Sequence, residues 1–322
     1  MRRGKDDRRR PADHLTALTS PRPDASFCAF KMSVRPLVLA TRRSPLALRQ
    51  AEAVAATLRE AWPDQAVELL PLRTTGDQRR DWSLAQEGGK GLFTKELEDA
   101  LLEGRADLAV HSAKDLPGEM PDGLVLAGCP PREDPRDCLI RRADLTGAPA
   151  RIATSSPRRR AQLQARFPAA EWSEIRGNVD TRLRKIAAGE ADATVLAMAG
   201  LRRLGIAGWD GLVFEPLTVD AMVPAPGQAA IAVQTRADDA ATFAPVFDAP
   251  TIQAVHLERQ LLRFWDGGCK TPFGALVHAG QVRIFHARLG GHAAALPTAP
   301  FEEQTAHLQQ LAAGWDAAKP AR

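Results

Sequence analysis

Three short stretches hold the side chains best suited to chemistry. In Thr154-Ser155-Ser156-Pro157-Arg158-Arg159-Arg160, hydroxyls and a proline precede consecutive arginines. A hydroxyl residue followed by proline reads as the N-cap and first position of a helix, which Ala161, Leu163 and Phe167 continue. A helix start already carries unpaired N–H groups and partial positive charge, so arginines there cost stability unless an anion sits among them. Guanidinium forks and hydroxyls at such an end suit a carboxylate or a phosphate. The second stretch, His111-Ser112-Ala113-Lys114-Asp115-Leu116-Pro117, follows the apolar run Leu108-Ala109-Val110 and gathers a hydroxyl, an ammonium and one carboxylate. Asp115 is suited to stabilising a transient cation or shuttling a proton; a plain Lys-Asp surface pair is the alternative. His111 reads as a packed core residue, because no H-x-x-x-H spacing recruits it to a metal. In the third, Gly267-Gly268-Cys269-Lys270-Thr271-Pro272, a thiol lies on a glycine-framed loop that can approach another molecule closely, and the adjacent lysine favours the thiolate.

The elements that must position these groups repeat. Leu39-Ala40-Thr41-Arg42-Arg43-Ser44-Pro45 has the same grammar as Ile152-Ala153-Thr154-Ser155-Ser156-Pro157: an apolar strand, a threonine, then a Ser-Pro helix start. Gly104-Arg105-Ala106-Asp107-Leu108-Ala109-Val110 and Gly189-Glu190-Ala191-Asp192-Ala193-Thr194-Val195 each read as a helix-ending glycine followed by a buried strand. Strands alternating with helices predict mainly parallel sheets, and two copies predict two similar α/β lobes. Ligands of such sheets bind beyond the carboxyl ends of the strands, where both Ser-Pro starts point. The prolines of 130–135 and of 218–227 mark two crossings between the lobes, hence a hinge. The expected domains are 37–132 plus 224–245, then 136–220, then a small α+β unit over 250–322 with a helix carrying Leu257, Leu261 and Phe264, a hairpin around Ala279-Gly280 and a C-terminal helix near 302–314.

Composition removes other classes. The chain has 322 residues, 44% of them hydrophobic, enough for two or three domains, and no apolar run of membrane-spanning length. A soluble cytoplasmic protein is the expectation. Cys28, Cys129, Cys138 and Cys269 show no C-x-x-C pair, which argues against zinc and against a disulfide framework. The sequence pI of about 9.1 invites a nucleic-acid reading. Yet residues 1–36 hold nine Lys/Arg against four Asp/Glu, leaving 34 against 35 for the rest, so the basic excess is all in the tail. That segment lacks periodicity and reads as a disordered N-terminal extension or an over-long reading frame ahead of Met32. Residues 151–203 carry eleven Lys/Arg against five Asp/Glu, a focused anion site on a near-neutral body.

Taken together, Leu39 to Leu48, Gly88-Gly89-Lys90-Gly91-Leu92-Phe93-Thr94-Lys95-Glu96-Leu97-Glu98, His111 to Asp115, Thr154 to Arg159, Arg176-Gly177-Asn178-Val179-Asp180-Thr181-Arg182-Leu183 and Gly267-Gly268-Cys269 resemble the porphobilinogen deaminase (hydroxymethylbilane synthase) family, collinearly from about Leu37 to Phe285. The resemblance implies a transferase of tetrapyrrole and heme biosynthesis that joins four porphobilinogen molecules head to tail, releasing ammonia and hydroxymethylbilane. It implies two lobes of the type II periplasmic-binding-protein plan and a covalent dipyrromethane cofactor, attached by a thioether to Cys269. It assigns catalysis to Asp115 and cofactor and substrate binding to Arg42, Gln50, Ser112, Lys114, Thr154, Ser155, Ser156, Arg158, Arg159, Arg176 and Arg182, with no metal, no nucleic acid, no membrane and a monomeric chain. A cofactor with four added rings brings about twelve carboxylates into one cleft, a self-repelling load that requires many cations. Pro226, Ala229 and Gln234 depart from the family's more usual valine, glycine and glutamate. The competing reading is a non-catalytic two-lobed binding protein for a small polycarboxylate, which uses the arginines but has no use for Cys269 or the third domain.

Overall fold

The computed structural model describes residues 35–78, 93–265 and 272–317. Cys269 and nearly all of the N-terminal extension lie outside the described residues, as do residues 88–92 of the Gly88-to-Glu98 motif. The chain opens with β1 (Leu37–Arg42), α1 (Pro45–Ala61), β2 (Val67–Leu72), the short α2 (Thr75–Gln78), α3 (Lys95–Leu102), β3 (Leu108–Ser112) and β4 (Leu124–Gly128). It then crosses as β5 (Asp137–Arg142) and builds β6 (Arg151–Ala153), α4 (Pro157–Leu163), β7 (Glu171–Ser173), α5 (Val179–Ala187), β8 (Ala193–Ala197), α6 (Met198–Arg203) and β9 (Leu212–Pro216). It returns as β10 (Ile231–Arg236), and ends with α7 (Ala240–Phe243), α8 (Ala249–Phe264), β11 (Phe273–His278), β12 (Gln281–His286), β13 (Gly290–Ala295) and α9 (Phe301–Ala317).

The sheet orders reveal the duplication. One sheet runs β2-β1-β3-β10-β4 and the other β7-β6-β8-β5-β9. In each, the first strand pairs in parallel with the second and third, and the strand inserted beside the third arrives from the other lobe and runs antiparallel. β5 and β10 are therefore exchanged strands, and the two α/β lobes follow the type II periplasmic-binding-protein plan. A third sheet, β11-β12-β13, packs with α8 and α9 around Leu257, Leu261, Phe273, Ile284 and Leu308. Hydrophobic in-facing residues make each lobe's core: Leu39, Val54, Leu58, Leu108 and Val233 in the first, Leu139, Ile152, Leu163 and Val195 in the second.

Local signals act as the sequence foretold. Ser44 caps α1 by accepting from the Ala47 N–H at 3.3 Å, and Ser156 caps α4 by accepting from the Arg159 N–H at 3.4 Å, each with proline next. Gly104 (φ 71°) and Gly189 (φ 79°) end α3 and α5 in the left-handed region. β13 is a finding beyond the sequence reading, because Gly290-Gly291-His292-Ala293-Ala294-Ala295 has neither alternation nor β-branched residues. Pairing with β12 makes it a strand.

One buried ion pair ties the two crossings to α8. Glu258 of α8, fully buried, takes both Arg132 guanidinium nitrogens at 2.6 and 3.0 Å, the Gly227 N–H at 2.6 Å and the Val277 N–H at 2.8 Å. Arg132 lies on the first crossing and Gly227 on the second, so one carboxylate grips both. Removing either partner of such a pair costs about 3–5 kcal/mol.

Candidate active site

The carboxyl end of β3 runs into a single 3-10 turn, Ala113–Asp115. Ala113 and Leu116 are buried in one apolar cluster with Cys129, Ala230 and Val255, which pins the turn on both sides and leaves the Asp115 side chain exposed. Gly227 of the second crossing lies against this turn in the left-handed region (φ 72°): a Cβ there would stand 2.9 Å from Ala113 Cβ and 3.2 Å from the Lys114 nitrogen. Glycine is required for that approach.

Beside the turn is a cavity enclosing about 430 Å³ of space open to solvent, lined by Arg42, Gln50, Phe93, His111, Ser112 and Asp115 among others. Gln50 of α1 exchanges hydrogen bonds with the Ser112 hydroxyl at 2.9 and 3.1 Å, fixing that hydroxyl. The Arg42 guanidinium lies over the Phe93 ring, 4.3 Å from its centroid. His111 is buried as expected. Its Nε2 meets Gln234 Oε1 at 3.0 Å while Gln234 donates to Glu98 at 3.3 Å, so the imidazole carries its proton on Nε2. Burial lowers its pKa to about 4, and the positive charges of Arg42 and Arg259 act in the same direction, so the ring is neutral near pH 7. Gln234 thus sits at the centre of a buried polar chain of Glu98, Gln234 and His111. Ala229, in the return crossing, adopts φ 73°, and its carbonyl accepts from Arg203 of α6 at 2.5 Å.

The second lobe supplies cations. The anion expected among the α4 arginines is a side chain of this protein, Asp137 at the start of β5. Asp137 is fully buried, accepts from Arg159 Nε and Nη2 at 3.1 and 2.7 Å, and lies 2.8 Å from Arg158 Nη1. Burial works to raise its pKa; the Arg158 and Arg159 guanidiniums outweigh that and hold the carboxyl at about 2. Arg158 also donates to the Val223 carbonyl at 2.7 Å, and Arg159 to the Val195 carbonyl at 2.8 Å, so both are anchored in the protein. Arg160 is exposed. The hydroxyls are engaged too: Thr154 Oγ1 accepts from the Ser156 N–H at 3.2 Å, and Ser155 donates to the Ile175 carbonyl at 2.9 Å, next to Arg176. Arg176 pairs with Glu174 at 2.9 Å, and Arg182 donates to the Gly177 carbonyl at 2.8 Å.

Charges from the two lobes meet. Burial lowers Lys114 to a pKa of about 8, Arg159 and Arg158 push the same way, and Asp115 and Asp137 oppose them. Burial likewise brings Arg182 to about 10, helped by Arg159 and Arg176 and opposed by Asp115. Lys114, Arg158, Arg159, Arg176 and Arg182 therefore share one field that Asp115 and Asp137 only partly offset. Such a donor set fits a ligand with several carboxylates, as dipyrromethane has. Sequence reasoning missed Asp137, Glu98 and Glu258; a lone acid directly before the apolar run Cys138-Leu139-Ile140 was the available signal for the first.

Comparison with known proteins supports one family. Residues 37–244 match the family described as porphobilinogen deaminase, dipyromethane cofactor binding domain. A porphobilinogen deaminase of Syntrophobacter fumaroxidans is 46% identical over 255 residues, covering 77% of this chain and 81% of the relative. That of Ralstonia nicotianae is 46% identical over 286 residues, covering 83% and 85%, and that of Chromobacterium violaceum is 47% identical over 246 residues, covering 74% and 79%. The chain belongs to the porphobilinogen deaminase family.

Proposed function

We propose that this chain is a hydroxymethylbilane synthase that deaminates four porphobilinogen molecules and joins them head to tail on a covalently held primer, working as a cytoplasmic monomer. The observation that supports this most is the convergence, in a member of this family, of Lys114, Arg159 and Arg182 from two lobes on the field around one exposed carboxylate, Asp115. Arg42, Gln50, Ser112, Thr154, Ser155, Ser156, Arg158 and Arg176 complete the proposed binding set, and Cys269 is the proposed attachment point for dipyrromethane.

Dipyrromethane, when bound, supplies a pyrrole with a free α-carbon as the nucleophile and a tether that keeps the growing chain in place. The protein's own groups do the rest. Porphobilinogen presents acetate and propionate groups to the arginines and to Lys114, whose fixed cations remove the need for solvent to reorganise. When the aminomethyl nitrogen leaves as ammonia, positive charge develops on the substrate pyrrole, and Asp115 accepts a hydrogen bond from the ring N–H, stabilising that charge. The same carboxylate takes up the proton released when the new carbon–carbon bond restores aromaticity. Buried Asp137 keeps Arg158 and Arg159 extended before substrate arrives.

Intact mass and turnover test the proposal together. Protein made in cells that synthesise porphobilinogen is expected to be heavier than its chain by two linked pyrroles, and to consume porphobilinogen with release of the bilane. Cys269→Ser is expected at the plain chain mass; a normally labelled Cys269→Ser protein would move the attachment point elsewhere.

A further inference from the structure

α8 of the third unit presents two adjacent buried charges of opposite sign, Glu258 and Arg259. Glu258 has the Arg132 guanidinium as its partner. Arg259 is 3% exposed and pairs with no carboxylate among the described residues. Its Nη2 instead donates to two consecutive carbonyls, Pro117 at 2.7 Å and Gly118 at 3.1 Å. Arg263, one turn further along α8, donates to the same Gly118 carbonyl at 2.7 Å. A guanidinium buried without a counter-ion is costly, and an apolar side chain of similar size would pack there at lower cost. The cost is reflected in its acidity: burial lowers Arg259 to a pKa of about 10.

The carbonyls it holds close the loop that carries Asp115. Upstream, the turn is pinned by Ala113, whose N–H donates to the Ala230 carbonyl at 3.0 Å. At its centre Leu116, 2% exposed, packs in the cluster that includes Val255 of the same α8. Downstream, the Arg259 bonds to Pro117 and Gly118 are the only side-chain hydrogen bonds of that stretch apart from the exposed Arg263 contact, among the described residues. We infer that Arg259 is a positioning residue, fixing the backbone after Asp115 so that the carboxylate is held at one place relative to the cations of the second lobe. This rests on the role proposed above for Asp115. A displacement of about 1 Å at such a group lowers turnover by up to about 100-fold without weakening substrate binding.

Arg259→Met keeps the volume of the side chain and removes every donor. In the full chain carrying its pyrrole mass, Arg259→Met is expected to lower kcat by about 10- to 100-fold while KM changes by less than about twofold. Arg259→Lys, which can reach one of the carbonyls, is expected to recover part of the loss. Parental kcat in Arg259→Met would overturn the inference. So would a loss of kcat that only tracks missing pyrrole mass or unfolded protein, the mark of a structural role. If Arg259→Met does not fold, Arg259→Lys decides: reduced kcat at unchanged KM, mass and melting temperature supports positioning, and parental kcat overturns it. Asp115→Asn, run in parallel, separates the two proposals. An inactive Asp115→Asn beside a fully active Arg259→Met removes Arg259 alone, whereas an active Asp115→Asn removes the reading on which it rests.

Discussion

The two lobes share one strand order and one Ser-Pro helix start, and use that start differently. In the first, the arginine precedes the cap: Arg42 ends β1, lies over Phe93 and borders an open cavity. In the second, the arginines follow the cap: Arg158 and Arg159 turn inward onto fully buried Asp137. The difference teaches how a helix start tolerates like charge. A carboxylate on the neighbouring exchanged strand converts repulsion into two buried ion pairs, and with two guanidiniums to one carboxylate a net positive charge remains. Lobe 1 keeps the exposed acid, and lobe 2 keeps the excess of cations.

Four measurements would break or sharpen that contrast. The largest effect is expected from the acid of lobe 1. Asp115→Asn is expected to lower porphobilinogen turnover by about 10²–10⁴-fold with the pyrrole mass retained; near-normal turnover would remove Asp115 from its role and erase the division between the lobes. Next comes the buried acid of lobe 2. Asp137→Asn leaves two buried guanidiniums short of a counter-ion and is expected to cost about 3–5 kcal/mol in urea unfolding. A loss below about 1 kcal/mol would mean that the arginines find other partners and that Asp137 is not what distinguishes this helix start.

The third measurement probes where the lobes meet. Lys114, depressed to a pKa of about 8, is charged below that value, so affinity for the carboxylate-bearing substrate is expected to fall as pH rises through 8. The protonated fraction drops about tenfold between pH 7 and 9. For stability the sign is opposite: a lysine depressed in the folded state costs most below about 8, and that cost is relieved as pH rises toward its ordinary value of 10.5. Lys114→Arg is expected to move the alkaline limb of KM upward; an unmoved limb assigns it to another group. The smallest effects belong to the caps, where the hydrogen bonds are long, at 3.3 and 3.4 Å. Ser44→Ala and Ser156→Ala are each expected to cost about 0.5–1 kcal/mol. A much larger loss for Ser156→Ala would show that the cap itself holds Arg159 in place.

Much of this was legible in the residues. Ser44-Pro45 and Ser156-Pro157 foretold both helix starts, Gly104 and Gly189 both helix ends, and the proline runs both crossings, because each signal acts within a few residues of backbone. The site was legible in its membership more than in its wiring. The arginines of α4 announced an anion but not that Asp137, 22 residues before Arg159, would supply it. Arg132 and Glu258 stand 126 residues apart and carry no mutual signal in the chain. β13 escaped notice because its glycines and alanines become a strand only through β12.

By itself, then, the order of residues determined the repeated lobe grammar, the turns, the caps and the kinds of groups available for chemistry, since these depend on near-neighbour sterics and hydrogen bonding. Tertiary structure alone decided which charges are buried against each other, which remain facing the cleft, and how far Lys114 and Arg182 are shifted. Those properties depend on desolvation and on Coulomb interactions between distant segments, and both exist only once the exchanged strands have brought those segments together.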